Sequence, residues 1–182
     1  MAVKSVNVTT VTPKQLNSVL SDIMRKTDAR SKKMAAAITH DVLEELYGSI
    51  IEDTPEGDFD GKHQGTLKGE WQVTPDAPAT KQLNRPMPGR LRSSLQIPKS
   101  FKVLMKRSWF LTNNSDYINI VEFGGYPKGV ERGTRNLNTG EYEIRTVDGF
   151  SRQAPEGMVR KNVARFREIL VRKSIKHQQV QF

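Results

Sequence analysis

Apolar residues recur at helical spacing through most of the first 51 residues, and this long repeat constrains the fold more than any other feature. One apolar stripe spans residues 16–24 and a second spans residues 34–51. Residues 25–33 contain no large apolar side chain, so they form either a solvated bridge in one helix or a break between two helices. We expect one helix of about 35–40 residues. A single domain of this size rarely covers the whole length of such a helix. The first half of the helix is therefore expected to pack on a neighbouring subunit.

Prolines mark both ends of this helix. Thr12 is a good N-cap residue, and Pro13 suits the first helical position because its fixed φ matches the helix. Thr54 precedes Pro55 and therefore avoids the helical conformation, which predicts the end of the helix. Residues 1–12 are mostly short, polar or β-branched and are expected to form an extended N-terminal arm.

The expected centre of the domain is a strand, a polar corner and a short helix that ends at two glycines. Residues 109–111 are apolar and predict the strand, and the polar residues 112–116 predict a tight turn. Residues 117–123 break the alternation of a strand, so a short helix or bent segment fits them better. Glu122 is the one charged residue in that segment. A buried general base is one interpretation of it, but a paired or capping carboxylate is preferred, because buried carboxylates are usually paired.

Three other segments show patterns typical of strands. Residues 66–73 predict a strand that enters the core through Trp71, and the alternating residues 101–105 predict a strand that leads into the central one. Residues 141–147 alternate with charged residues and predict a half-exposed strand. This strand is expected to be one arm of a hairpin inserted at residues 126–148.

A final helix is predicted after Pro155, since proline and an acidic residue favour a helix start. Its apolar stripe is expected to comprise Val159, Val163, Phe166 and Leu170, with Ile169. Residues 177–182 are expected to form a loose tail. These elements together predict an α+β fold, in which a small antiparallel sheet is flanked by the long N-terminal helix and a C-terminal helix, with extended loop and hairpin insertions. A chain of 182 residues fits a single domain, residues 1–182.

Charge is segregated along the chain, whose formal net charge is +9. Residues 81–107 contain eight Lys or Arg and no acid, and residues 160–176 contain seven Lys or Arg against one acid. Residues 44–60 contain seven acids and no base. Such segregation suits contacts between copies or with a partner, and it suits nucleic-acid binding as well. Within the basic insertion, residues 76–107, the candidate contacts to a partner or to DNA are Arg85, Arg90, Arg92, Lys99 and Lys102.

Several kinds of site and location are not expected. The chain has no cysteine, which excludes disulfides and cysteine-based metal sites. The acidic loop at residues 56–63 lacks the terminal glutamate of a calcium loop, and the three histidines show no ligand spacing. No nucleophile elbow or phosphate-binding glycine loop occurs, so we expect no catalytic residues, metal or cofactor. No apolar run is long enough for a membrane span, and no signal peptide is expected.

Three short motifs occur in order along the chain. They are Gly-Glu-Trp-Gln-Val at residues 69–73; Leu-Thr-Asn-Asn at residues 111–114 with Tyr117-Ile118 and Glu-Phe-Gly at residues 122–124; and Ser-Arg-Gln-Ala-Pro-Glu-Gly-Met-Val-Arg at residues 151–160. Together with the long helix, they resemble the tail-completion or neck proteins of long-tailed bacteriophages, also described as head–tail joining or minor tail proteins. The resemblance covers roughly residues 30–75 and 108–172.

The resemblance implies a structural virion protein without catalytic activity or cofactor. Proteins of this family form homo-oligomeric rings, commonly hexameric, that complete the tail end and join it to the head connector. The implied partners are the head-completion or connector protein, the tail terminator or tail tube proteins, and double-stranded genome DNA that passes through the ring. The implied location is the neck of the virion, and the host cytoplasm during assembly. A basic accessory protein that binds nucleic acid is the alternative function.

Structural roles are expected for six motif residues: Trp71, Tyr117, Glu122, Gly124, Pro155 and Arg160. We expect Glu122 and the turn at Gly124 to hold the corner between the sheet and the short helix, and Arg160 to pair with an acid near it. The acidic residues 44–60 are expected to face basic residues of another copy. The chain departs from the family pattern at residues 56–63, 76–107 and 126–148, and these segments are expected to reach neighbouring proteins.

Overall fold

The structure is a computed structural model that describes residues 13–56, 65–84, 95–128 and 133–179. Its helices are α1 (Pro13–Glu52), α2 (Thr66–Gly69), α3 (Phe101–Leu104), α4 (Ile118–Phe123), α5 (Val159–Ala164) and α6 (Phe166–Gln179). Its strands are β1 (Trp71–Pro75), β2 (Trp109–Asn113), β3 (Thr134–Arg135), β4 (Tyr142–Glu143), β5 (Thr146–Val147) and β6 (Phe150–Ser151).

The first helix is continuous over 40 residues, which confirms the prediction of one long helix rather than two. At about 1.5 Å per residue it is about 60 Å long. Residues 21–33 are exposed, and the buried face begins at Ala36. The helix ends just before Thr54, whose hydroxyl donates to the carbonyl of Ile50 at 2.7 Å. The predicted cap at Thr12 and the arm at residues 1–12 lie outside the described residues.

The predicted α+β class is confirmed, with small antiparallel sheets and flanking helices. β1 pairs with β2 in a register that places Trp71 opposite Asn113 and Pro75 opposite Trp109. β3 pairs with β4, and β5 pairs with β6, so the described residues form three two-stranded sheets instead of one sheet of several strands. The second and third sheets have only two residues per strand, which leaves them no edge long enough to extend β1 and β2.

The core lies between the second half of α1 and the elements that pack on it. α1 runs antiparallel to α6, with Asp41 near His177 and Glu45 near Lys173. α3 and α5 also contact α1. The buried apolar residues are Ala36, Val42, Leu46, Tyr47, Ile50, Ile51, Leu67, Trp71, Ile97, Leu104, Val121, Ala154, Met158 and Ile169. Among the described residues, no helix is both long and apolar enough to cross a membrane.

Short helices occupy part of two segments that were predicted to be strands. Residues 66–69 form α2, and the strand starts only at Trp71. Residues 101–104 form α3, where the helix turns Leu104 into the core and leaves Val103 exposed. The strand predicted from the alternation of residues 101–105 is therefore wrong: a strand would bury Val103 and Met105, which are exposed, whereas the helix buries Leu104.

The C-terminal helix differs from its prediction in two ways. It is divided into α5 and α6 by a turn at Arg165, and the expected stripe is wrong at Val163, Phe166 and Leu170, which are exposed. The fully buried positions are Met158, Asn162 and Ile169. Asn162, a polar residue, occupies one of the buried positions. The pattern of apolar residues alone therefore indicated the wrong side of the helix.

The remaining differences concern the hairpins and the C-terminus. Residues 141–147 do not form one strand, because β4 and β5 separate there and pair with different partners. The predicted hairpin at residues 126–148 is present as β3 and β4, joined by a turn around Asn136. Residues 177–179 belong to α6, so they are not a loose tail, and residues 180–182 lie outside the described residues. The single-domain division stays a prediction.

Candidate functional site

The corner between α4 and α5 is built around the carboxylate of Glu122. This side chain is buried, at 4% exposure, and it accepts hydrogen bonds from three successive backbone N–H groups. Met158 and Val159 donate to Oε2 at 2.8 and 2.9 Å, and Arg160 donates to Oε1 at 2.8 Å. These N–H groups open α5, where the helix has no internal acceptors for them. Glu122 is thus an internal anion that caps the start of α5.

Arg160 binds Glu122 in the opposite direction. Its Nη2 donates to the carbonyl oxygen of Glu122 at 2.6 Å, and its Nε lies 3.5 Å from Glu122 Oε1. The guanidinium lies over the rings of Phe123 and Phe150, at 5.5 and 6.0 Å from their centroids. The expected ion pair of Arg160 near the corner is therefore made with Glu122 itself, and two aromatic rings hold the guanidinium in place.

Two glycines make the close approach of these segments possible. Gly157 has a φ of +72°, and a Cβ there would lie 2.7 Å from both Glu122 O and Glu122 Oε1. Gly124 has a φ of +79°, and a Cβ there would lie 2.8 Å from the Phe150 ring. Both positions therefore require glycine for space as well as for backbone conformation. The structural role of Gly157 was not predicted from the sequence.

Pro155 and Tyr117 frame the corner without entering it. Pro155 is exposed in the turn of residues 154–157, which is closed by a hydrogen bond from Gly157 N to Ala154 O at 3.1 Å. It is the second residue of that turn, a position that proline favours, and α5 begins four residues later. Tyr117 precedes α4 and is exposed, as are Ile120 and Phe123. The expectation that residues 117–123 pack as an apolar return is therefore wrong for one face of α4, whose buried residues are Val121 and Glu122.

Trp71 connects the sheet to the end of α1. Its indole N–H donates to the hydroxyl of Thr54 at 2.8 Å, and that hydroxyl donates in turn to the last turn of α1. At the opposite end of the β1–β2 pair, the hydroxyl of Tyr47 donates to the carbonyl of Trp109 at 3.0 Å. Burial raises the pKa of Tyr47, which keeps its hydroxyl protonated as a donor. Each of the two tryptophan positions is thereby fastened to α1.

A second buried carboxylate, Glu70, was missed from the sequence. It is 2% exposed and accepts hydrogen bonds from the backbone N–H groups of Leu83 and Asn84. The neighbouring polar corner binds the same segment, because Asn114 Nδ2 donates to the carbonyls of Ala79 and Lys81, both at 3.0 Å. The only available signal was an acid next to a core tryptophan.

The structure describes two of the five candidate contact residues of the basic insertion. Arg85, Arg90 and Arg92 lie outside the described residues, whereas Lys99 and Lys102 are described and exposed. The segment is anchored close to them, since Ile97 and Leu104 are buried in the core. Residues 95–104 therefore present two exposed lysines on a backbone that the core anchors.

The acidic stretch is partly neutralised within the chain. The intrachain pairs are Glu45 with Arg172 and Lys173, Asp53 with Lys161, and Glu56 with Lys68. A cleft of about 520 Å³ remains beside them, between the end of α1 and residues 153–157. Its charged lining comprises Glu52, Asp53, Glu56, Glu156 and Lys161. This acidic cleft is the described surface that best suits a basic segment of a neighbour.

Histidines and carboxylates also meet where α1 contacts α6. His40, Asp41 and Glu44 each place one ligand atom within 4.8 Å of the others. His177 Nε2 lies 3.1 Å from Asp41 Oδ2, and Lys176 Nζ lies 3.9 Å from the same oxygen. Burial raises the pKa of Asp41, but hydrogen bonds with His40 and His177 lower it by more, so the net shift of this pKa is downward. The cations of α6 therefore already balance this carboxylate, and we assign the cluster to helix pairing.

Hydrogen bonds hold both charged groups of the corner, the Glu122 carboxylate and the Arg160 guanidinium. Both oxygens of Glu122 receive backbone hydrogen bonds, so this carboxylate holds the start of α5 against the end of α4. Comparisons of the chain with protein-family models, with curated proteins and with solved structures found no match.

Proposed function

We propose that this chain is a structural subunit of the neck of a long-tailed bacteriophage. The observation that carries the proposal is the meeting of the three resemblance motifs in space. Trp71 of the first motif pairs with Asn113 of the second, and Glu122 of the second binds the backbone of residues 158–160 in the third. Segments that are far apart in the sequence thus form one supporting corner, and that corner leaves the rest of the chain available for assembly.

The distribution of buried and exposed surface supports an assembly role. Half of α1 projects beyond the core, an acidic cleft lies at the end of α1, and basic residues are exposed on α3 and α6. We propose that copies form a ring, hexameric by the family resemblance, that completes the tail end and binds the head connector on one face. Genome DNA passes through this ring and makes only non-specific contacts.

Mass measurement and particle imaging test the proposal directly. A hexamer of the 20.6 kDa chain has a mass of about 124 kDa. We expect native mass spectrometry of the purified protein to show a closed oligomer, and an antibody against the chain to label the head–tail junction of virions. A protein that is monomeric at all concentrations and absent from virions contradicts the proposal.

The alternative is a basic accessory protein that binds nucleic acid. The exposed Lys99 and Lys102 favour it, because they lie on anchored backbone and face solvent. The two functions differ in one measurement: tight, salt-dependent binding of duplex DNA by a monomer supports the alternative, and a ring or virion location supports the neck role.

A further inference from the structure

The first half of α1 carries an apolar edge that its own domain leaves uncovered. Met24 is 72% exposed and Ile23 is 54% exposed. In the sequence, apolar residues at the same helical spacing continue this edge back to residue 16. An amphipathic helix that projects from its domain with its apolar edge in solvent is typical of a segment that binds in a groove elsewhere.

A groove of about 610 Å³ lies along α6, from Ala164 at the end of α5 to Ile175. Its apolar lining comprises Ala164, Val171 and Ile175. Its charged lining comprises Arg167, Glu168 and Arg172. Val171 and Ile175 are both about half exposed, at 51% and 48%. The groove therefore presents an apolar floor and a rim that carries both signs of charge.

The edge on α1 cannot reach the groove of its own chain. α1 and α6 are antiparallel, with Asp41 beside His177 and Glu45 beside Lys173. Moving from Asp41 towards the start of α1 therefore leads past the C-terminal end of α6. Met24 lies about 25 Å further along the helix than Asp41, at 1.5 Å per residue. A continuous helix does not fold back over that distance, so an edge that binds this groove comes from another copy.

The two surfaces agree in length and in charge. The edge at residues 16–24 is about 12 Å long, and the groove from Ala164 to Ile175 is about 17 Å long, at 1.5 Å per residue. The edge segment of α1, residues 13–24, carries one Lys and one Asp. The rim residues Arg167 and Glu168 offer one partner of each sign. Docking therefore buries apolar side chains on both sides, and each charged residue of the edge segment has a residue of opposite sign on the rim.

We propose that residues 13–24 of α1 bind the α6 groove of a second copy, head to tail. Because the edge and the groove are different surfaces, each copy offers one of each to its neighbours, and such a heterologous contact closes into a ring when the rotation allows it. The inference deepens the proposed neck role and rests on it only for ring closure.

Cysteine cross-linking tests the contact without background, because the chain contains no cysteine. Met24→Cys protein is mixed with tagged Val171→Cys protein, and the mixture is oxidised. We expect a disulfide-linked dimer that contains one copy of each variant, at several times the yield of either variant alone. Preferential linkage of Met24→Cys protein to itself indicates contact between two edges and overturns the proposal. Ser21→Cys, on the polar side of α1, is the matched control and should link poorly.

Complementation of two charged variants tests the head-to-tail arrangement. We expect Ile23→Lys/Met24→Lys and Val171→Lys/Ile175→Lys each to be monomeric, with unchanged helix content by circular dichroism. Mixed together, they retain one intact edge and one intact groove, so they should form a 1:1 dimer and nothing larger. The substitutions Ser21→Lys and Gln179→Lys are controls that should leave the oligomer intact. Failure of the mixture to associate contradicts the proposal.

The outcomes separate this inference from the proposed neck role. If the wild-type protein forms a ring whose mass the edge and groove variants do not change, the inference is wrong and the neck role stands. If the cross-link forms but virions lack the chain, the contact stands and the neck role is wrong. A wild-type chain that stays monomeric and does not cross-link contradicts both.

Discussion

Glu122 and Arg160 each cap the helix to which the other belongs. The carboxylate of Glu122 accepts backbone N–H groups at the start of α5, and the guanidinium of Arg160 donates to the Glu122 carbonyl in the last turn of α4. A carboxylate at the start of a helix and a cation near the end of one both match the local backbone dipoles. The pair therefore joins two short helices that have little stability of their own.

Replacing Glu122 should destabilise the whole protein. We expect Glu122→Ala to lower the free energy of unfolding by about 3–5 kcal/mol, because the substitution leaves three N–H groups without their acceptor and removes the carboxylate that pairs with Arg160. Urea unfolding measures the loss, and Glu141→Ala, in an exposed part of the hairpin, is the control. A Glu122→Ala protein with wild-type stability and assembly would falsify the structural role of this carboxylate.

Gly157 and Gly125 form a matched pair for testing the corner. Both have positive φ, +72° and +100°, but a Cβ at Gly157 meets Glu122 at 2.7 Å, and a Cβ at Gly125 has nothing within 4 Å. We expect Gly125→Ala to cost about 1–2 kcal/mol for backbone strain alone. Gly157→Ala should cost about 1–3 kcal/mol more, since Glu122 must move. Thermal unfolding compares the two variants, and equal losses would show that the contact is unimportant.

The sequence was sufficient for features that repeat or stand out locally. The long helix was predictable because its apolar residues recur at helical spacing on both sides of residues 25–33, and the role of Glu122 because it is the only charge in an apolar segment. The identity of its backbone partners was not predictable. Residues 158–160 lie 36 or more positions away, and no local pattern specifies which free N–H groups a carboxylate will cap.

Two of the errors share a physical cause, which is that a polar residue occupies a core position. Asn162 is fully buried and donates to Asp53 and to the carbonyl of Met158, and Glu70 is buried under the backbone of residues 83–84. Apolar periodicity treats both residues as surface positions, so the buried face of α5 and the anchoring of residues 79–84 were missed. Hydrogen bonds formed only in the folded chain make the burial of such residues tolerable.

Glu70 should control the order of the segment that follows β1. We expect Glu70→Ala to speed hydrogen exchange at the amides of Leu83 and Asn84 by at least about tenfold, because each loses a charge-assisted hydrogen bond. The amide of Val121, in α4, serves as the internal reference, because its exchange rate should change only as much as the global stability changes. Unchanged protection at residues 83–84 would mean that other contacts hold them.

Acid should weaken the contact between α1 and α6. A hydrogen bond and the charges of Arg172 and Lys173 lower the pKa of Glu45, and the pKa of Asp41 is lowered as well. A carboxylate with a lowered folded pKa contributes stability above its unfolded pKa and loses it as the pH falls through the folded value. The ordinary pKa values of Glu and Asp are 4.5 and 3.8, so stability should be level near neutral pH and decline below about pH 4.5.

The variant Glu45→Gln isolates that contribution. At pH 7 it should melt at a lower temperature than the wild type, because Arg172 and Lys173 lose their anionic partner. At pH 3 the difference should shrink, since the wild-type carboxylate is losing its charge. A difference that is the same at both pH values would show that the ion pairs contribute no pH-dependent stability.

The exposed lysines of the basic insertion give the sharpest test of contact with DNA. If Lys99 and Lys102 each neutralise one phosphate of a duplex, the slope of log K against log salt should decrease in magnitude by about 1.8 in Lys99→Gln/Lys102→Gln protein, at 0.9 per contact. Lys32→Gln, which removes a lysine paired with Asp28 on α1, is the control of equal chemistry. Fluorescence anisotropy with a labelled duplex at several salt concentrations measures the slopes. An unchanged slope would assign the two lysines to protein partners, because an exposed cation that touches phosphate must release counterions when it binds.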